Sequence, residues 1–356
     1  MSSIISSIKA GTKIVLRYSG MFHSIRLLYG YLSFRLRNVT PAGSYQSMIS
    51  LFCLTKGKSN DLIHGILKIR NRPYPIRTPD GVLGKMNPPL ISRIVQDIRE
   101  NGYHVFNQRL SDQMCDKILD FSMRQKAKVR ACATNSKNGI EPGYLKIDRA
   151  NPVGVRYDYD ETTSLTSPEI QNLICDTSIF SIAQGYLECK PILDLIAFWW
   201  HTAYSDQPDE EAAQFYHFDM DRVKWLKFFF YITDVKPENG PHCFIAKSHR
   251  TKGIPWKLLK KGYKRLLDEE VSAAFPNKNN FIEFTAPRGT IIAEDTRGLH
   301  KGKHVQKGDR LIFQIEFCDS LFGAKYERSH FPENVTSNLA AAREAYPRIY
   351  SKFVST

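Results

Sequence analysis

Two histidines and one aspartate have the residue types and spacing of a metal site. His217 and Asp219 stand two residues apart in the stretch Gln-Phe-Tyr-His-Phe-Asp, and His300 follows much later in the chain. Residues two apart on a β-strand point to the same face, so the first two side chains would enter one site. Two imidazoles and a carboxylate on one face of a metal leave three positions open, which is the ligand set of non-haem Fe(II) oxygenases. In a chain with ten histidines, a buried structural histidine and a turn carboxylate are the alternatives.

Short β-strands are expected to form the framework around the three candidate ligands. Alternating or continuous apolar patterns predict strands at 192–204, 225–232, 290–293 and 311–317. The last two are introduced by turns at Pro287-Arg-Gly289 and Lys307-Gly-Asp309. Strand 225–232 is apolar on both faces and is therefore expected to be central. Several short strands separated by Gly and Pro turns favour a sandwich or jelly roll.

Helices are expected before and after the strands. Helical spacing of apolar residues predicts helices ending at Asn101-Gly102, starting after Ser111, starting at Pro168, and covering 179–187 and 336–353. Residues 38–60, which begin Asn-Val-Thr-Pro-Ala-Gly-Ser, are interpreted as a connector. The expected organisation is a basic N-terminal extension and linker at 1–86, a catalytic domain at 87–325 and a C-terminal helix at 326–356. The fold class is α+β with a basic helical N-terminal extension.

Composition is that of a globular protein. Of 356 residues, 42% are hydrophobic and 24% charged, so a sizeable core is expected and disorder is not. The seven cysteines are scattered and contain no Cys-x-x-Cys pair. This pattern argues against a disulfide framework or zinc knuckle, and favours buried thiols in a reducing compartment.

The first 60 residues are basic and rich in apolar side chains. They contribute +8 of the net charge of +14, because the first acidic residue is Asp61. No stretch reaches the length of a membrane-spanning helix, and lysines interrupt any signal-peptide core. Three interpretations stay open for this segment: peripheral binding to an anionic membrane through residues 1–40, an organellar transit peptide, and a helical extension packed on the main domain. The expected location is cytoplasmic, with peripheral membrane association or organellar import as alternatives.

Residues of about 91–320 resemble the phytanoyl-CoA dioxygenase group of Fe(II)- and 2-oxoglutarate-dependent oxygenases. Four stretches carry the resemblance. The first is Gly102-Tyr-His-Val-Phe106, followed by Leu110-Ser-Asp112, and the second runs from Gln214 to Asp219. The third runs from Tyr231 to Pro241 and continues to Lys247-Ser-His-Arg250, and the fourth runs from Glu294 to Gly302. Arg310 falls where that family holds 2-oxoglutarate. The combination is more specific than any single stretch, and residues 1–86 and the tail beyond about 325 lie outside it.

This resemblance implies a double-stranded β-helix (jelly-roll, cupin-like) core with flanking helices, and the cofactors Fe(II), 2-oxoglutarate and O₂. His217, Asp219 and His300 would be the catalytic metal ligands, and Arg310 would bind the far carboxylate of 2-oxoglutarate. The family's usual serines are replaced by Gly302 and Ile312. The further cosubstrate residues expected in this chain are Thr202, Tyr204, Gln214 and Phe229.

The expected function is hydroxylation of an unactivated C–H bond of a small molecule or a lipid- or glycan-type metabolite, with release of succinate and CO₂. Asp219 is intact, which favours oxygen insertion or desaturation over the halogenation seen in relatives that lack this carboxylate. Two alternatives belong to other classes: a non-catalytic jelly roll that only binds a metal or ligand, and a basic nucleic-acid-binding protein. No nucleic-acid partner is expected, because no known binding motif accompanies the charge.

Overall fold

The computed structural model describes residues 2–130 and 143–354, with side chains described from residue 19 onward. Cys132 therefore lies outside the described residues. The helices are α1 (Ser2–Arg37), α2 (Ala42–Thr55), α3 (Lys58–Arg70), α4 (Pro88–Asn101), α5 (Asp112–Arg124), α6 (Glu161–Ser164), α7 (Pro168–Ile174), α8 (Thr177–Leu187), α9 (Trp256–Leu259), α10 (Asp268–Ala274) and α11 (Ser337–Ala345). The mixture of helices with antiparallel sheets confirms the α+β class.

Two antiparallel sheets form the core. The strands are β1 (Tyr103–Arg109), β2 (Ala127–Arg130), β3 (Tyr144–Leu145), β4 (Arg156–Tyr159), β5 (Ile192–Thr202), β6 (Trp225–Tyr231), β7 (His242–Ile245), β8 (Phe281–Glu283), β9 (Thr290–Glu294), β10 (His300–Gly302) and β11 (Asp309–Cys318). The large sheet has the order β1-β9-β6-β11-β5-β4-β2-β3, and the small sheet has the order β10-β7-β8. This is the predicted jelly roll.

Strand β6 is central, as its apolar pattern predicts. Every residue of it is buried. Phe228 and Phe230 belong to the core shared with helices α4, α5, α7 and α8, whereas Phe229 and Tyr231 pack with Phe244 of the small sheet. One face of the large sheet is therefore covered by helices, and the other faces the small sheet across the interior where the site lies.

The local helix signals are confirmed. Asn87 and Ser111 cap α4 and α5, because their side chains accept hydrogen bonds from the amides of Leu90 and Met114. Helix α4 ends at Gly102, which adopts φ 93°. The predicted C-terminal helix is shorter than expected: α11 ends at Ala345, because Pro347 disfavours helical backbone in the residue before it.

Residues 38–60 are not a connector, and that expectation is wrong. They contain α2 and the start of α3, and α2 buries Met48, Leu51 and Phe52. Pro41 is the N-cap of α2 rather than a loop residue, since a proline before a helix costs no hydrogen bond. These helices belong to one core cluster with residues of the metal motif, including Phe218. The division of the chain into three segments stays a prediction.

Candidate metal and cosubstrate site

The structure brings His217, Asp219 and His300 together. One ligand atom from each lies within 4.8 Å of the others, and all three residues are buried. His217 Nε2 lies 3.7 Å from Asp219 Oδ1, and His300 Nε2 lies 3.4 Å from Asp219 Oδ2. A backbone bridge holds the two histidines in register, because the amide of each donates to the carbonyl of the other. No other such group of His, Cys, Asp or Glu occurs among the described residues.

Both imidazoles present Nε2 to the site. His217 Nδ1 lies 2.9 Å from the carbonyl oxygen of Phe215, and His300 Nδ1 lies 3.0 Å from that of Gly298. A carbonyl only accepts, so each Nδ1 carries the proton and each Nε2 keeps its lone pair. Burial lowers the pKa of both imidazoles, which favours the neutral form that a metal ligand requires.

Asp219 is held ionised by a buried lysine. Lys227 Nζ donates to Asp219 Oδ2 at 2.6 Å, and it also lies 3.3 Å from Glu316 Oε2. Burial alone would raise the pKa of Asp219, but the charge of Lys227 and its hydrogen bond hold that pKa below its usual value. Asp219 is therefore a carboxylate in the folded protein, and its other oxygen, Oδ1, faces His217.

Arg310 is buried without a carboxylate partner. It is 1% exposed, and its guanidinium donates to the carbonyl of Gly240 and, at 2.8 Å, to His201 Nδ1. Its Nε has no hydrogen-bond partner, and no ion pair to it occurs within the described ranges. Burial lowers the pKa of Arg310, because a charge in a low-dielectric interior is costly unless it is paired.

His201 fixes the position of that guanidinium. Its Nε2 lies 3.2 Å from the carbonyl of Ala212 and therefore carries the proton. Its Nδ1 is then an acceptor, which receives Arg310 Nη2 and, at 3.3 Å, Trp199 Nε1. Burial, with Arg310 next, keeps the pKa of His201 well below its usual value. A neutral acceptor histidine thus orients the arginine.

These residues line one cavity of about 190 Å³ between the sheets. His217, Asp219 and His300 lie on its wall together with Arg310 and Phe229. Phe229 therefore shares the cavity with the candidate ligands, and its role towards a cosubstrate stays a prediction. Further lining residues are Arg156, Trp199, His201, Lys227, His242 and Gln314. The arrangement offers a metal-ligand set and an unpaired guanidinium in the same enclosed space.

Three predicted helper residues are placed elsewhere. Thr202 lies on the opposite face of β5 and donates to the carbonyl of Gly154 at 2.7 Å. Tyr204 lies beyond the end of β5 and is 36% exposed. Gln214 Oε1 accepts from the amide of Asp209 at 2.7 Å. None of the three lines the cavity. For Thr202 the reason is that the face of β5 that meets the site carries Trp199 and His201.

Several site residues were missed by sequence reasoning. Lys227 had a signal, since it is the one charged residue in the otherwise apolar strand β6. His242 is a second such residue: it is buried, and its Nε2 lies 3.0 Å from both carboxyl oxygens of Glu294. Burial raises the pKa of Glu294 to about 8 and lowers that of His242 to about 3, and both shifts favour the neutral forms. Nothing in the local sequence around His201 indicated that this residue belongs to the site.

The N-terminal helices support both ligand segments. Phe52 of α2 stacks on Phe218 with ring centroids 5.4 Å apart, and Phe218 stands between the first two ligands. Asp61 of α3 accepts from Arg297 at 2.9 Å, three residues before His300. The segment outside the sequence resemblance therefore packs directly behind the candidate site.

A second cavity adjoins His217 on the outer side. It has a volume of about 420 Å³ and is lined by Glu210, His217, Tyr263, Lys264 and Arg265. Within the described chain, neither Lys264 nor Arg265 forms an ion pair. This cavity lies beside the candidate ligand set, and its lining carries two basic residues, Lys264 and Arg265, and one acidic residue, Glu210.

Comparison with known proteins gives structural likeness only. No protein-family profile matches the chain, and no curated protein sequence does. Among solved structures, EctD from S. alaskensis with 2-oxoglutarate and 5-hydroxyectoine is 16% identical, covers 69% of this chain and 81% of its own, and has a TM-score of 0.44. HygX from Streptomyces hygroscopicus with nickel and 2-oxoglutarate is 14% identical, with coverages of 69% and 92% and a TM-score of 0.42. The non-haem α-ketoglutarate-dependent epimerase SnoN from nogalamycin biosynthesis is 14% identical, with coverages of 65% and 84% and a TM-score of 0.41. At these values the likeness assigns neither reaction nor substrate to this chain.

Proposed function

We propose that this protein is an Fe(II)- and 2-oxoglutarate-dependent oxygenase that hydroxylates a small molecule. The observation that carries the proposal is one cavity holding His217, Asp219 and His300 beside the buried, unpaired Arg310. A metal site alone would not require the arginine. A bound carboxylate ligand would supply the negatively charged partner that the buried Arg310 lacks.

The three ligand residues fit a divalent metal. Both histidines have Nε2 free of protons, and Asp219 is ionised. Two neutral nitrogens and one carboxylate oxygen suit Fe(II) and leave positions open for a bidentate cosubstrate and O₂. The hydrogen bonds from His217 Nδ1 and His300 Nδ1 to backbone carbonyls fix the ring orientations, as is usual for metal-bound histidines.

Arg310 fits the far carboxylate of 2-oxoglutarate. A planar guanidinium binds a carboxylate through two parallel hydrogen bonds. Its Nε is unpartnered, and Nη2 is oriented by His201, so the fork is held in one position. Bound to these residues, iron and 2-oxoglutarate would supply the oxidising power for O₂-dependent C–H oxidation. The protein supplies the ligand geometry and, through Trp199 and Phe229, an apolar wall that limits water.

The substrate is proposed to enter the outer cavity beside His217. This space is separate from the Arg310 end, so a substrate there would not compete with the cosubstrate. Lys264 and Arg265 on its rim favour a molecule that carries a phosphate or carboxylate group. A lipid or glycan precursor with such a group agrees with this rim.

The test is an anaerobic titration with Fe(II) and 2-oxoglutarate, monitored by the visible charge-transfer band, followed by measurement of succinate after air is admitted. The His217→Ala and Asp219→Ala variants should show no band. Arg310→Ala should keep Fe(II) binding and lose 2-oxoglutarate affinity by roughly 100-fold, as expected for one partner of a buried charged pair. His330→Ala, at an exposed histidine, is the matched control and should behave as wild type.

A folded wild-type protein that binds neither Fe(II) nor 2-oxoglutarate would overturn the proposal. Binding of both without any succinate formation, with or without added compounds, would favour the non-catalytic jelly roll instead. The substrate class is tested by screening phosphorylated and carboxylated compounds against neutral analogues for stimulation of succinate formation. Arg265→Glu should lower that stimulation and leave the charge-transfer band unchanged.

A further inference from the structure

Apolar side chains are exposed in one region of the molecule. Of the nineteen large hydrophobic residues that are exposed in the described chain, eleven lie between residues 21 and 69. They are Met21, Phe22, Ile25, Leu28, Tyr29, Leu32 and Leu36 on α1, Val39 after it, and Leu62, Ile66 and Ile69 on α3. Exposed apolar patches of this kind mark binding surfaces in a folded protein.

Helix α1 is apolar on two faces, and only one of them is used in packing. Its inner side contributes Leu27, with Tyr31 against the ring of Phe322. Its outer stripe runs through Ile25, Leu28 and Leu32 at helical spacing and contacts nothing that would cover it in the described structure.

The outer stripes of α1 and α3 form one surface. An open groove of about 460 Å³ lies between them, and it is lined by Leu28 of α1, Leu51 of α2, and Leu62 and Ile66 of α3. We call this groove, together with Ile25, Leu28 and Leu32 of α1 and Leu62, Ile66 and Ile69 of α3, the apolar docking surface. Its floor residue Leu51 precedes Phe52, whose ring stacks on Phe218, so one helix separates this surface from the ligand-bearing segment.

The charge around the docking surface is almost entirely positive. Residues 19–70 contain seven basic residues and one acidic residue, Asp61. Asp61 is paired with Arg297 and so adds no free negative charge. Lys68 is paired with Glu188 and so adds no free positive charge. The basic residues are Arg26, Arg35, Arg37, Lys56, Lys58, Lys68 and Arg70. Basic side chains bordering exposed apolar stripes are complementary to a surface with anionic headgroups above an apolar layer.

We propose that the apolar docking surface binds the face of a bilayer that contains anionic phospholipid. No described helix is long and apolar enough to cross a membrane, and this mode of binding requires none. Leu28, Leu32, Leu62 and Ile66 would enter the boundary between headgroups and acyl chains. Arg35, Arg37 and Lys58 would contact lipid phosphates. The binding does not depend on the proposed enzymatic activity.

The test is co-sedimentation of the full-length protein with vesicles of phosphatidylcholine alone and of equal parts phosphatidylcholine and phosphatidylglycerol. The protein should pellet with the mixed vesicles at low salt, and binding should weaken as salt is raised. The double variant Leu28→Glu/Ile66→Glu should weaken binding at least tenfold, because two apolar contacts are replaced by charges. Arg35→Glu/Arg37→Glu should abolish the preference for the anionic vesicles.

Substitutions are preferred to removal of residues 1–40, because Leu27 and Tyr31 are part of the core. Val153→Glu, at an exposed apolar residue elsewhere, is the matched control and should bind as wild type. All variants should keep their Fe(II) and 2-oxoglutarate charge-transfer band, which separates this proposal from the proposed function. Wild type that stays in the supernatant, or binding unchanged in Leu28→Glu/Ile66→Glu, would overturn the proposal. A wild-type dimer that this double variant disperses, without vesicle binding, would assign the surface to a second copy instead.

Discussion

Phe52 stacks on Phe218 at 5.4 Å between ring centroids with an interplanar angle of 27°. Phe52 lies on a helix that precedes the jelly roll, and Phe218 stands between the candidate metal ligands His217 and Asp219. Phe218 also contacts Tyr263 in an edge-on arrangement with ring centroids 5.5 Å apart, and Tyr263 lines the outer cavity. The N-terminal helices are therefore part of the support of the site.

Phe52→Ala should destabilise the fold and loosen metal binding together. Removal of a buried aromatic ring costs about 3 kcal/mol or more of unfolding free energy, and the cavity lies directly behind the ligand pair. Denaturant unfolding and an Fe(II) titration measure the two effects. Phe22→Ala, at a 53% exposed phenylalanine, should change neither. A normal Fe(II) affinity in a destabilised Phe52→Ala protein would contradict the supporting role.

His201→Leu should weaken 2-oxoglutarate binding about tenfold without changing Fe(II) affinity. The variant removes the acceptor that orients Arg310 Nη2, and a hydrogen bond to a charged group is worth about 1.5–3 kcal/mol. Titration of the charge-transfer band against 2-oxoglutarate gives the affinity. His201→Asn retains an acceptor and should recover part of the loss. Equal affinities in His201→Leu and wild type would show that Arg310 needs no such positioning.

Lys227→Met should destabilise the metal-free protein by about 3 kcal/mol, because Asp219 loses its buried counter-charge. A divalent metal on Asp219 replaces part of that charge. Thermal unfolding with and without Mn(II) should therefore show a larger metal-induced rise in Tm for Lys227→Met than for wild type. Lys236→Met, at an exposed lysine, should match wild type. A smaller metal effect in Lys227→Met would mean that the lysine assists metal binding directly.

The described cysteines should be unreactive in the native protein. All six are free and buried. Burial raises the pKa of the Cys53 and Cys175 thiols to about 11 and that of Cys189 to about 12. The thiolate is the reactive form and is present only as pH approaches the raised pKa, so at pH 8 it is scarce. In Cys132→Ser, an aromatic disulfide reagent should detect almost no thiol at pH 8 and six after denaturation. Rapid reaction of native Cys132→Ser would contradict the burial.

The sequence alone determined the residues of the candidate site that lie in compact motifs. His217 and Asp219 are two apart in the chain, and the distal His300 and Arg310 follow in a recognisable order. The strand expected at His217 and Asp219 is reduced to an isolated bridge between His217 and His300, and Asp219 lies outside the named strands. Strands β5, β6, β9 and β11 and the helix ends at Ser111 and Gly102 were also predictable, because they depend on local periodicity and backbone preference.

Only the tertiary structure decided the surroundings of these residues. Alternation along β5 shows that Trp200 and Thr202 share a face, but not that the site meets the other face, where His201 lies. That choice depends on which segments pack against each side of the sheet. The role of Lys227 and the support from α2 likewise depend on contacts between residues far apart in the chain. Local pattern contains no record of such contacts, because burial and charge pairing are properties of the assembled core.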